Sequence, residues 1–395
     1  MSLKFHWRLL QGGEIRSVTT RATGASQRAT GLPDLEHQID FCRQAEAAGI
    51  TGLLTDVGAS KPDPILLAAS LGLATERIEF IVAYRSGLTF PTTFVQQLNT
   101  LSALANGRVS LNIVAGHSPV EQRYYGDYLP HHERYTRTEE FLTICHAFWK
   151  NDGPVNYCGK YYCLDQGQLN TPFLSPNRSF PEIFIAGGSN EARNLAISQG
   201  TLWMRLADTP ENLRSSVAPV LAAGKEVGLR MSIIARPTRE GAVRAACELL
   251  SGLDPAMRDR EKEARFMMKS DSVSISATYA LAEKEWLNPW LWTGAVRTHG
   301  APAVSLVGSF EEVAQALIEY ARIGVTQFIL SGWPKLDEMI LFGNEILPRV
   351  RKTEAELHRE TSAQADIRPT LQGVDFAGPG SISGSQKSRP TTARP

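Results

Sequence analysis

Short β-branched or aromatic runs alternate with longer segments of helical apolar period along nearly the whole chain. The runs Leu3–Leu10, Thr51–Asp56, Ile78–Tyr84 and Arg108–Val114 read as strands, and Glu182–Ala186, Leu202–Leu206, Met231–Arg236 and Gln327–Ser331 supply four more. Between them the spacing predicts helices over Asp34–Ala48, Asp63–Thr75, Thr92–Ala105, Asn190–Ser198, Pro210–Val227, Glu240–Ser251 and Phe310–Ile323. Leu336–Val350 closes the series. In the first helix Leu35, Ile39 and Cys42 share one face, and Gly49 ends it. Phe80-Ile81-Val82-Ala83 and Phe328-Ile329-Leu330 are apolar without a break, the pattern of parallel strands covered on both faces. Eight strand–helix units predict an α/β fold, a (β/α)8 TIM barrel over residues 1–352 with insertions in the βα-loops. The first strand is not followed by Gly-x-Gly-x-x-Gly, which argues against an open dinucleotide-binding sheet.

Three stretches break the alternation. They are Gly12–Leu32, with Arg16, Arg21 and Arg28; Gly116–Pro130 together with a hairpin region Gly153–Phe180; and Gly252–Pro302, with Trp286, Trp290 and Trp292. In a barrel such excursions extend the catalytic face. Residues 353–395 read as a C-terminal extension, disordered from about Pro369 where Gly, Ser, Pro and Thr dominate.

Charge narrows the function. Lys plus Arg is 41 and Asp plus Glu is 41, so the clustered basic excess of a nucleic-acid binder is missing. The same balance removes a general reason to sit on an anionic membrane. The longest apolar stretch, Ile65–Ala74, is about half of a membrane span, and the N-terminus lacks the apolar core of a signal peptide. Five cysteines, at 42, 145, 158, 163 and 247, read as reduced thiols of a cytoplasmic protein. Cys158 and Cys163 flank a short hairpin turn without the further ligands a zinc site requires, so no metal is expected.

Candidate chemistry gathers at strand ends. The fourth strand runs into Asn112-Ile113-Val114-Ala115-Gly116-His117, where small residues let a flat ligand approach the backbone. The fifth runs into Ala186-Gly187-Gly188-Ser189-Asn190 at a helix start, and Ser189 there is either a phosphate ligand or an N-cap. His131 and Tyr135, four apart at another helix start, share a face and can direct two polar tips at one anion.

Taken in order, Phe80–Arg85 with Pro91-Thr92, Asn106-Gly107-Arg108, Asn112 to Gly116, His131 to Tyr135 with Glu140-Phe141, Gly187-Gly188-Ser189, and Leu330-Ser331-Gly332-Trp333-Pro334 form one pattern. It resembles the bacterial luciferase-like flavin monooxygenases, in particular the alkanesulfonate monooxygenase branch, from about Met1 to Val350. The resemblance implies a (β/α)8 barrel, reduced FMN delivered by a separate flavin reductase, dioxygen as co-substrate and a homo-oligomer. By motif match, His131, Tyr135, Ser189 and Gly188 would hold the FMN phosphate, with Asn112 and Ala115 along the flavin. Oxygen activation by reduced flavin has to be kept dry, and Gly252–Pro302 would be the lid.

The substrate side departs from that pattern. Gln11-Gly12 stands where the branch has a histidine, Lys61 where it has a cysteine, and Leu206 where it has a tryptophan. Ile234 and Arg236 replace the branch's Arg and His on strand seven, His299 its lid arginine, and Trp333-Pro334-Lys335 its Tyr-Pro-His. Lys61, Arg85, Arg236 and Lys335 would make a cationic mouth suited to an anionic substrate, with His299 exchanging a proton and Trp333 either walling the pocket or packing in its rim. Arg236, as a strand-end arginine, is expected to matter most. The expected reaction is oxygenation of a small or medium organic molecule: desulfonation, N-hydroxylation or a Baeyer–Villiger-type insertion. The competing readings are a deazaflavin-dependent oxidoreductase on the same barrel and a non-catalytic flavin-binding relative.

Overall fold

The computed structural model describes residues 2–11, 32–251 and 270–366. Met1–Glu354 forms one compact unit and Ala355–Pro395 a second. The barrel strands are β1 (Lys4–Arg8), β2 (Gly52–Thr55), β3 (Glu79–Tyr84), β4 (Val109–Val114), β5 (Glu182–Ala186), β6 (Leu202–Leu206), β7 (Glu226–Arg230) and β8 (Val325–Leu330). All pair in parallel, and β1 closes the ring against β8, with Phe5 opposite Phe328. Leu54, Ile81, Ala83, Phe184, Leu202, Met204 and Ile329 fill the interior as one apolar cluster. At the N-terminal end of the strands the core turns polar. The fully buried His6 pairs with Gln327 at 3.0 Å, and Gln327 donates to Glu182 and Glu226 at 2.8 Å each.

Around the ring lie α1 (Leu35–Ala47), α2 (Pro64–Gly72), α3 (Pro91–Leu104), α4 (His131–Lys150), α5 (Asn190–Gln199), α6 (Pro210–Ala222), α7 (Arg239–Ser251), α8 (Val273–Leu281), α9 (Phe310–Arg322), α10 (Lys335–Leu341) and α11 (Leu347–Asp366). Their starts are written in the sequence. Asp34, Asp63, Ser189, Thr209 and Ser309 each accept a backbone N–H of the first turn, and Ser309 with Glu312 completes a capping box. The Asn106-Gly107-Arg108 motif is structural. Asn106 and Gly107 take left-handed conformations, and a Cβ on Gly107 would lie 2.7 Å from Ser175 Cα. Arg108 then donates to the carbonyls of Gly72, Thr75 and Ile78, closing the end of α2.

One strand differs from the sequence expectation. The helix expected to reach Val227 stops at Ala222, and the seventh barrel strand is Glu226–Arg230. Its apolar run is interrupted by Gly228, whose missing side chain leaves room for Met204: a Cβ there would lie 2.5 Å from Met204 Cε. Ser232–Arg236 is indeed extended, as its β-branched run foretells, but it leaves the barrel. It pairs in parallel with Ser305–Ser309, which also carries the two-residue strand Leu291–Trp292, in a separate three-stranded sheet. The expected hairpin is present as Val155–Cys158 against Cys163–Gly167. Gly12–Leu32 except its last residue, residues 252–269 of the expected lid, and the tail from Pro369 fall outside the described residues. Among the described residues no helix is long and apolar enough to cross a membrane.

Candidate active site

The C-terminal ends of the strands open into a cavity of about 670 Å3. One side of it is built on β5, α4 and α8. A left-handed Gly187 turns the chain off β5, and Ser189 caps α5 by accepting from Ala192 N at 3.2 Å. Tyr135, on the first turns of α4, is hydrogen-bonded through its hydroxyl to Ser189. Burial raises its own ionisation above that of an ordinary tyrosine, so it stays a neutral donor. A Cβ on Gly187 would lie 2.7 Å from the Tyr135 hydroxyl, and one on Gly188 would lie 2.8 Å from Ser274 Oγ. The absence of side chains there keeps an open, hydroxyl-rimmed notch at a helix N-terminus. Ser274 Oγ is buried and has no hydrogen-bond partner among the described residues.

His131 lies edge-on to Tyr135, with ring centroids 5.2 Å apart. The buried Arg134 organises this corner. It donates to both oxygens of Asp271 (2.8 and 2.7 Å), to Ala115 O at 2.9 Å and to His131 Nδ1 at 3.0 Å. His131 Nδ1 also lies 3.3 Å from Asp271 Oδ1, so this nitrogen is held between the arginine and its carboxylate partner. Gln122 also donates to Ala115 O, at 3.1 Å, and occupies the space a Cβ on Gly116 would need. Ala115 therefore meets the cavity with its carbonyl already satisfied. Asn112 Oδ1, by contrast, is buried and without a partner among the described residues.

The opposite side of the ring, from β1, β2 and β7, is ionic. Asp56 is bridged by Arg8 Nε at 2.5 Å and Arg230 Nη2 at 3.3 Å. Burial opposes its ionisation, yet the charges of Arg8, Arg230 and Lys61 outweigh it and hold the carboxyl well below the ordinary range. Lys61 and Arg85 line the same cavity. Arg85 donates to Glu121 at 2.6 Å, while its Nε and Nη1 are buried without partners among the described residues. Six cations face two carboxylates along the lining: Arg8, Lys61, Arg85, Arg205, Arg230 and Lys335 against Asp56 and Glu121. That excess of positive charge calls for anionic occupants.

His299, Trp333 and Lys335 complete the mouth. His299 is buried and lies edge-on to Trp333 at 4.9 Å. The Thr298 hydroxyl donates to Ala295 O at 3.2 Å and lies 2.8 Å from His299 Nδ1.

The structure thus brings Lys61, His299, Trp333, Lys335, His131, Tyr135, Ser189, Gly188, Asn112 and Ala115 to one cavity. Arg236 is not among the lining residues. It sits in the side sheet, 2.7 Å from Glu338, whose carboxyl burial pushes up to about 7 even against that arginine. Sequence reasoning expected Arg236 at the mouth because it took 231–236 for the barrel strand. The arginine that ends the true strand is Arg230, which lines the cavity together with Ser232. Arg8, Arg134, Asp271 and Ser274 were also missed. For Arg8 the available signal was an arginine inside the otherwise mostly apolar first strand run.

The luciferase-like monooxygenase profile matches residues 15–327. The chain belongs to the luciferase-like monooxygenase family. It is accordingly an oxidoreductase, a flavin-dependent monooxygenase. Solved structures share the barrel. EDTA monooxygenase from Chelativorans sp. BNC1 is 22% identical, with 89% of this chain and 94% of that one covered at a TM-score of 0.69. The oxygenating constituent of 3,6-diketocamphane monooxygenase from Pseudomonas putida, in complex with FMN, is 19% identical, with 88% and 99% covered at 0.59. An F420-dependent secondary alcohol dehydrogenase is 18% identical, with 89% and 99% covered at 0.60. At such identities the likeness speaks for the luciferase-like fold.

Proposed function

We propose that this luciferase-like protein is the oxygenating component of a two-component system, using reduced FMN from a separate flavin reductase and dioxygen to oxygenate a small or medium anionic organic molecule. The observation that carries the reading is the polarity of the cavity: a notch of hydroxyls and glycines on β5 and α4, and a guanidinium cluster on β7 and β1, two and four strands away around the ring. The residues present fit the cofactor. Ser189, Tyr135 and His131 would donate to the FMN phosphate, with Ser274 Oγ closing over Gly188. The partnerless Asn112 Oδ1 would accept from the flavin ring, and Ala115 would pack along it. When bound, reduced FMN supplies the electrons that activate dioxygen.

The chain's own groups do the rest. Arg8, Arg230 and Lys61 would bind the substrate's oxyanion, with Asp56 fixing both guanidinium groups so that little order is lost on binding. His299 would take or return a proton at the reacting centre, and Lys335 would stabilise negative charge there. Trp333, packed on His299, would keep water from that corner. Desulfonation, N-hydroxylation and Baeyer–Villiger-type insertion are the three reaction classes of this reading.

The test is anaerobic titration with reduced FMN, then an aerobic screen of sulfonates, amines and ketones with a flavin reductase present. Tight binding with substrate-dependent oxygen uptake is expected. Hydride transfer to or from F420 without oxygen uptake would replace this reading with that of a deazaflavin oxidoreductase.

A further inference from the structure

The hairpin Val155–Cys158 and Cys163–Gly167 lends no residue to the cavity, yet it carries two exposed thiols. Cys158 and Cys163 are opposed in its register. The turn bond from Gly159 N to Tyr162 O, 2.9 Å, makes 159 and 162 the hydrogen-bonded pair. The next pair outward, Cys158 and Cys163, is then of the non-hydrogen-bonded kind, whose Cα separation of about 4.5 Å is one a disulfide spans. The sulfurs already lie 2.7 Å apart, Cys163 donating to Cys158. That neighbour raises the Cys163 thiol above its ordinary value.

The other cysteines differ. Cys42 and Cys145 are buried, and burial pushes Cys42 up to about 12 and Cys145 well above its ordinary value. Cys247 is exposed on α7, away from this hairpin.

The hairpin turn is also tied to the helix that opens the cavity. Glu140 accepts from Lys160 N at 2.8 Å and Tyr161 N at 2.9 Å, and Glu133 accepts from Lys160 Nζ at 2.8 Å and the Tyr161 hydroxyl at 2.5 Å. Tyr135 stands on α4 between these two glutamates.

We propose that Cys158 and Cys163 form a reversible dithiol–disulfide couple, closed by hydrogen peroxide and reopened by thiols, on the hairpin that braces α4. The Cys158 thiolate attacks one peroxide oxygen, the O–O bond breaks, and hydroxide leaves to take up a proton as water. Cys163 then displaces the hydroxyl from the resulting sulfenic acid. The S–S bond forms, a second water leaves, and the two sulfurs have given up two electrons to the peroxide.

The test treats the full chain, natively folded, with stoichiometric hydrogen peroxide, alkylates it with iodoacetamide and weighs the peptides. The expected result is a hairpin peptide lighter by two hydrogens and resistant to alkylation, restored by dithiothreitol, while Cys247 stays alkylatable in the same sample. Cys158→Ser and Cys163→Ser each abolish the product; both positions are exposed, so circular dichroism is unchanged. Hairpin thiols that remain alkylatable at peroxide levels that consume Cys247, or that pass singly to sulfinic acid without joining, overturn the couple.

Discussion

The two sides of the cavity solve the same problem, holding negative charge, by different means. On the β5–α4 side the groups are neutral: Ser189, Tyr135, Ser274 and a helix N-terminus, with glycines where side chains would intrude. On the β1–β2–β7 side they are charged, two guanidinium groups sharing Asp56. A neutral hydroxyl buried without a ligand costs about 1–3 kcal/mol. Buried charges cost several kcal/mol each unless paired. Asp56 is therefore as much a part of the fold as of the site, whereas Ser274 can wait without a partner.

The largest effect should come from breaking the ionic side at its centre. Asp56→Asn removes the carboxylate that Arg8 and Arg230 share, and urea unfolding should show a loss of about 3 kcal/mol. An unchanged midpoint would show that the fold does not depend on this carboxylate.

Glu338 sharpens where the ionic side ends, because its partner Arg236 stands outside the cavity lining. Its folded carboxyl is pushed up to about 7 from the ordinary 4.5. The unfolded chain releases this proton first as pH rises, so the protonated group's stabilisation is complete below 4.5 and is lost as pH climbs through 7. Up to about 3 kcal/mol disappears over that window. Glu338→Gln should flatten this slope in thermal or urea unfolding across the window and leave substrate affinity unchanged. A slope that survives the change places the titration elsewhere.

On the neutral side, Tyr135→Phe and Ser189→Ala should each weaken FMN by about 1.5–3 kcal/mol in fluorescence titration. Ser189→Ala should also lose about 1 kcal/mol of stability as its cap on α5 goes, a cost Tyr135→Phe is spared. FMN affinity unchanged from the parent protein in both variants would mean the phosphate lies elsewhere. The smallest effect belongs to Lys61→Met, about 1 kcal/mol, seen as a several-fold rise in KM for an anionic substrate with kcat held.

Much of the barrel was legible in the chain because its signals are local. Continuous apolar runs marked β3 and β8, capping residues marked the starts of α1, α2 and α5, and Gly187-Gly188-Ser189 announced the notch. β7 was not, since Gly228 and Glu226 break its apolar run while the stronger Ser232–Arg236 run follows at once. That one displacement carried the arginine expectation from Arg230 to Arg236.

The sequence by itself determined the alternation of elements, their caps and the family, because period, turn chemistry and ordered motifs act over a few residues at a time. Only the tertiary structure decided which run closes the ring and which arginine therefore meets Asp56. Those outcomes depend on residues that are near neighbours only once the ring closes, such as Gly228 making room for Met204 and Arg230 reaching across to the end of β2.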